Sequence, residues 1–191
     1  MVYNVFLFLH IFGVILMFAG VSLVLTAVAA MSRTNQIEAI RLWAGLAVKS
    51  DKVLPVSVLF ILLPGIYLTS VSWGWNIAWV NVSLITLISM TLTGPLVNLP
   101  RLKAIAKEAD KPVLTPLLSS KIKDRTLWIS LSTMTFLTVA ILFLMTMKFG
   151  LIGSLSTILF ALFIGAFTGL FAANKLHFFT EEKPATSTDA Y

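Results

Sequence analysis

Residues 1–31 read MVYNVFLFLHIFGVILMFAGVSLVLTAVAAM; from Val5 to Met31 there is no Asp, Glu, Lys or Arg, and one titratable side chain, His10. A helix rises 1.5 Å per residue, and about 20 residues cross a hydrocarbon core of about 30 Å, so this stretch is long enough to span a membrane. No Lys or Arg precedes it, and it is longer than the apolar stretch of a cleaved signal peptide. The expectation is a retained helix.

Four more uncharged runs follow: Val53–Ser72, Ile77–Val97, Leu127–Met147 and Leu151–Ala173. The chain of 191 residues is 58% hydrophobic and 12% charged, about half the charge of an ordinary soluble domain. The runs are continuous rather than alternating, which favours helices over a barrel, since backbone groups in lipid must pair within their own segment. The expected fold is therefore an all-α, polytopic bundle of five transmembrane helices. It forms a single membrane-embedded domain over residues 1–179, followed by a polar, mobile tail over 180–191. Cysteine is absent, which excludes disulfides, thiolate metal sites and cysteine nucleophiles.

The connections fix an expected orientation. Of the 14 Lys and Arg, all but Lys148 lie in stretches 32–52 and 98–126 or after the last span. The positive-inside rule then places the N-terminus outside and the C-terminus inside, in a bacterial cytoplasmic (inner) membrane. The net charge of +6 is explained by topology and contact with the lipid bilayer, and calls for no nucleic acid. Two basic-side stretches read as interfacial helices. In NQIEAIRLW (35–43), Asn35 and Glu38 have capping-box spacing and Ile37, Ile40 and Trp43 are expected on lipid. In NLPRLKAIAKEADK (98–111), Leu99, Leu102, Ile105 and Ala109 form an apolar stripe. The turn holding Trp73, Trp75 and Trp79 reads as an aromatic belt, an anchor rather than a ligand cage.

Within the spans, Ala161, Gly165, Gly169 and Ala173 recur every four residues and share one face, with Phe160, Phe163, Phe167 and Phe171 opposite. Such a ladder admits close helix approach; contact with a homodimer or partner membrane subunit is one reading and packing inside the bundle the other. Pro64 and Gly65 are a candidate hinge, because Pro64 has no N–H to offer the carbonyl of Phe60. Gly94-Pro95 is expected to end or bend the third span. Ser83, Thr86, Met90 and Thr93 share a face, with the hydroxyls expected to bond between helices.

His10 shares its face with Gly13, Met17 and Gly20. Glycine faces meet other helices, so His10 is expected to point into the bundle, about two turns below the outer surface. Depth matching suggests Tyr67 or Thr69, Ser83 and Thr157 as neighbours, with Met17 and Met90 together one level deeper. The candidate ligand or buried polar site is thus His10, Met17, Met90 and Ser83. An ionisable residue in a membrane is a functional hypothesis by default, set against an ordinary buried imidazole bonded to a hydroxyl or carbonyl. His177, beside Lys175, reads as juxtamembrane.

The stretches LHIFGVILMFAGVSL (9–23), LPVSVLFILLPGIYLTSVSWGWNIAWVNVSLITL (54–87) and GPLVNLPRLKAIAKEAD (94–110) resemble an uncharacterised family of predicted integral membrane proteins related to the copper-resistance-D-like membrane proteins. The resemblance covers residues 5–110. It implies copper or haem as candidate cofactors and His10 as the residue carried over as ligand. Soft Cu(I) accepts thioethers such as Met17 or Met90. The sequence departs from a complete site in having no second membrane-embedded His, Cys or carboxylate. No nucleophile–base–orienter set is visible, so an enzyme is not expected. Three functional classes follow: an accessory or structural subunit of a membrane assembly, a haem- or copper-handling protein using His10, and a small permease using the Pro64 region.

Overall fold

A computed structural model of the protein describes residues 1–181, with side chains described through Lys175. The expected runs are helical: α1 (Val2–Met31), α2 (Ile37–Asp51), α3 (Leu54–Leu68), α4 (Ala78–Thr93), α5 (Leu99–Ala109), α6 (Pro116–Ile122), α7 (Arg125–Met147) and α8 (Leu151–Glu181). Five helical stretches, counting α2 with α3, α4 with α5 and α6 with α7, are long and apolar enough to cross a membrane. The chain is an all-α, multi-pass bundle. The side chain of His177 and the tail from residue 182 lie outside the described residues.

Two antiparallel pairs organise the bundle. Gly13 brings α1 onto α3 so closely that a Cβ there would lie 2.8 Å from backbone atoms of Phe60 and Ile61. Gly165 and Gly169 do the same for α8 on α7: a Cβ at either would lie 2.5 Å from the Cα of Thr133 or Ile129. The glycine ladder is therefore taken up by α7 of the same chain, with Ala161 and Ala173 also buried. Phe160, Phe163, Phe167 and Phe171 stand exposed on the far side of α8.

The basic end differs from the expectation of helices lying on lipid. At 30 residues, α1 is about 45 Å long, well beyond the hydrocarbon thickness. Its last turns carry Val24, Ala27, Val28 and Met31, which pack with α2, α5 and α6 into one core. Ile37 and Ile40 are buried in that core and Trp43 packs partly buried against it, so none of the three serves chiefly as a lipid contact. Leu102, Ile105 and Ala109 are likewise internal. An amphipathic stripe buries on protein as readily as on lipid, and the overhang of α1 supplies the protein surface. The capping box is also corrected: α2 starts on Gln36, with no side-chain cap. Polar contacts lock this end. Arg41 donates to the carbonyls of Ala109 and Lys111 at 3.1 and 3.3 Å. Arg101 pairs with Asp124 at 2.9 Å, and Asp124 also caps α7 through the N–H of Thr126.

Neither proline ends a helix. Hydrogen bonding continues through Pro64 to Leu68. At Gly94–Asn98 the helix widens into a π-turn and runs on into α5. Pro95 supplies no N–H, and lengthening the ring by one residue lets later amides resume the ladder, as Leu99 does to Gly94. A second π-turn, Thr69–Trp73, extends α3 and stops at Gly74, whose φ of 75° and ψ of 173° suit only glycine.

Candidate functional site

At the tryptophan-rich end, α1 with α3 and α4 with α7 stand apart and enclose a cleft of about 400 Å³. It runs along α1 from Tyr3 to Val14, about 16 Å at helical rise. Most of the wall is apolar. Its polar groups are few and sit at two levels.

His10 is at the deeper level. Its Nδ1 lies 2.8 Å from the carbonyl oxygen of Ile61. An oxygen there can only accept, so Nδ1 carries the proton and donates it. In the neutral ring, Nε2 then keeps its lone pair, and it makes no hydrogen bond among the described residues. Gly65 makes the room: a Cβ there would stand 3.2 Å from the imidazole. Gly65 thus has a concrete task as the floor beneath His10, one turn after the carbonyl that the ring uses.

Ser83 also lines the cleft. It is 2% exposed, and its hydroxyl has no partner among the described residues. Its neighbours on the face behave otherwise. Thr86 and Thr93 donate to carbonyls four residues back, at 2.8 and 2.9 Å. The expected bonds between helices are therefore absent for these two hydroxyls; the i−4 carbonyl is closer and already in place. Of the other expected neighbours of His10, Thr69 does line the cleft. Tyr67 instead stacks on Phe6 with ring centroids 4.1 Å apart, and Thr157 bonds to Gly153 within α8.

The shallower level is the mouth. Trp73, Trp75 and Trp79 line it, Trp73 and Trp79 edge to face at 5.6 Å. Lys148, the remaining basic residue of the charge count, closes α7 in a left-handed conformation with φ 55°, uncommon outside glycine and asparagine. Its ammonium lies 4.2 Å from the Trp73 ring centroid, a cation–π contact. The sequence offered the aromatic cluster but not this convergence. Lys148 is 75 residues from Trp73, and no local pattern joins them.

The candidate set divides by depth. A cavity of about 40 Å³ behind His10 is lined by Met17 and Met145. A third cavity, about 180 Å³ toward the basic end, brings together Met17, Met90 and Met134 beside Asp51. Met90 does not reach the His10 level. Among the described residues no group of three or more His, Cys, Asp or Glu could hold a metal ion. The fit to haem or copper is thus confined to one imidazole lone pair, with Met17 and Met145 as soft donors lining the adjacent space.

Asp51 is a residue the sequence reading passed over. It stands two residues before the apolar span that begins at Val53, yet is 4% exposed, with Oδ1 unpartnered. Burial pushes its carboxyl up to about 6. At the same end, Lys111 and Thr115 bond to the buried Glu108 and hold its carboxyl below the usual range.

Compared with known proteins, the chain matches no family model, no curated protein and no solved structure.

Proposed function

We propose that this chain is a binding protein of a bacterial cytoplasmic membrane, its basic end in the cytoplasm, and that its cleft holds a lipid-soluble small molecule near the outer face. The observation that carries the reading is the cleft: about 400 Å³ of mainly apolar space whose lining residues include His10, with one imidazole nitrogen unbonded, and Ser83, whose buried hydroxyl has no partner among the described residues. An apolar pocket with a few convergent polar groups is the usual form of a ligand site. Side chains serving packing alone would be expected to satisfy each other.

The test uses the cleft's own tryptophans. A brominated, lipid-soluble alcohol titrated into protein in mild detergent should quench emission saturably, at one equivalent per chain. Quenching that rises without saturation, as for probe merely dissolved in the micelle, would contradict the reading.

A second reading, an accessory subunit of a membrane assembly, is supported by the exposed phenylalanine row of α8. The form in which His10 holds haem or copper is supported by the free Nε2. A Soret band or stoichiometric copper in the purified protein would select it.

A further inference from the structure

We infer that the cleft's ligand is a neutral, apolar molecule that places a hydroxyl group at the His10 level. The inference rests on the binding reading above and specifies the ligand's chemistry.

Three observations lead to it. The Nδ1 proton of His10 is committed to the Ile61 carbonyl at 2.8 Å, so the neutral ring offers its other nitrogen as an acceptor, and an acceptor requires a donor. Ser83 presents a buried hydroxyl with no partner; a hydroxyl both gives and takes a hydrogen bond. Lys148 is the charged residue on the cleft wall and lies at its mouth.

These observations exclude ligand classes one by one. A plain hydrocarbon or lipid tail at this depth would leave Nε2 and Ser83 Oγ unpaired, and a buried polar group without a partner is costly. An ether or ketone has oxygens that only accept, which leaves the imidazole unserved. A carboxylate is drawn to Lys148 but has no proton to give at the His10 level. An ammonium has to pass the like charge of Lys148 at the mouth, which opposes its entry. A neutral O–H supplies the donor that the free nitrogen of His10 lacks.

The experiment compares 4-decylphenol with its methyl ether, 4-decylanisole, which differ in the O–H and share the apolar body. Both are titrated into the full-length protein in mild detergent, with tryptophan emission as readout. The phenol should bind about tenfold more tightly, the worth of one additional hydrogen bond in a dry site. His10→Leu should bring the two probes within about twofold of each other by weakening the phenol alone. Ser83→Ala removes a hydroxyl from which the oxygen of either probe can accept, so it should leave the preference in place, and His10→Phe, which also lacks the acceptor nitrogen, serves if His10→Leu does not fold. Equal affinity of wild-type protein for phenol and ether would overturn the inference and leave the cleft reading standing. Failure of both probes to saturate would overturn the two together.

Discussion

Replacing Gly165 and Gly169 together by alanine tests how the bundle is held. At Gly165 the new Cβ would lie 2.5 Å from the Cα and 3.1 Å from the amide nitrogen of Thr133. At Gly169 it would lie 2.5 Å from the Cα of Ile129 and 2.8 Å from the Trp128 carbonyl oxygen. These are main-chain atoms of α7, so no side chain can rotate away. Ordinary carbon contacts are about 3.5–4.0 Å, which requires α7 and α8 to part by about 1 Å along the seam. Overpacking costs about 1–3 kcal/mol per site, against a gain of up to about 1 kcal/mol from replacing glycine within a helix. With that gain subtracted the net is about 0–2 kcal/mol per site, and main-chain contacts at 2.5 Å put both sites at the upper end, so the double variant should lose up to about 4 kcal/mol. Gly45→Ala in α2, where a Cβ meets nothing within 4 Å, should be neutral or slightly stabilising. Unfolding in mixed dodecyl maltoside and sodium dodecyl sulfate micelles measures both, and size-exclusion chromatography reports assembly. A double variant as stable as wild type but altered in oligomeric state would refute the argument and return the ladder to an interface between chains.

Asp51 gives a pH signature. Its carboxyl is raised from 3.8 to about 6, so the folded state holds this proton more tightly than the unfolded chain. The stability that this provides is full below about pH 4 and is lost as pH rises through 6. Asp51→Asn should accordingly raise stability at pH 8, by up to about 3 kcal/mol for a shift of about two units, and much less at pH 4. A gain equal at both pH values would show that the carboxylate's charge is not what burial opposes. The orientation is tested separately by cysteine substitution. Cysteine at Asn76 should react with a membrane-impermeant thiol reagent in intact cells and cysteine at Lys111 should not, and the reverse would invert the topology.

The spans were legible because lipid imposes a single rule, about 20 uncharged residues with every backbone group satisfied locally. That rule needs no knowledge of partners, and the helix limits fall within a few residues of the runs except at the end of α8, which continues past Ala173 to Glu181. The inward aim of His10 followed from the glycines it shares a face with. Its carbonyl partner did not, since nothing in LHIFG specifies Ile61. At the basic end, hydropathy cannot tell lipid from a protein core. Ile37 and Ile40 needed the overhanging turns of α1 to be seen as internal. The cleft was illegible for the same reason: it lies where α1 and α3 stand off α4 and α7, and an empty space has no sequence pattern. Only its walls were visible, as a tryptophan belt, a histidine and a serine read one at a time.

The central claim is that one site, the cleft around His10, takes a lipid-soluble ligand in preference to the rest of the apolar surface. Photo-crosslinking measures this directly, with a decylphenol carrying a diazirine on its chain and labelled peptides identified by mass spectrometry. The account predicts saturable labelling of α1, α3, α4 and α7 around the cleft, displaced by excess 4-decylphenol. Labelling of the exposed Phe160–Phe171 face of α8 should rise linearly and resist displacement. Equal, undisplaced labelling of both surfaces would contradict it.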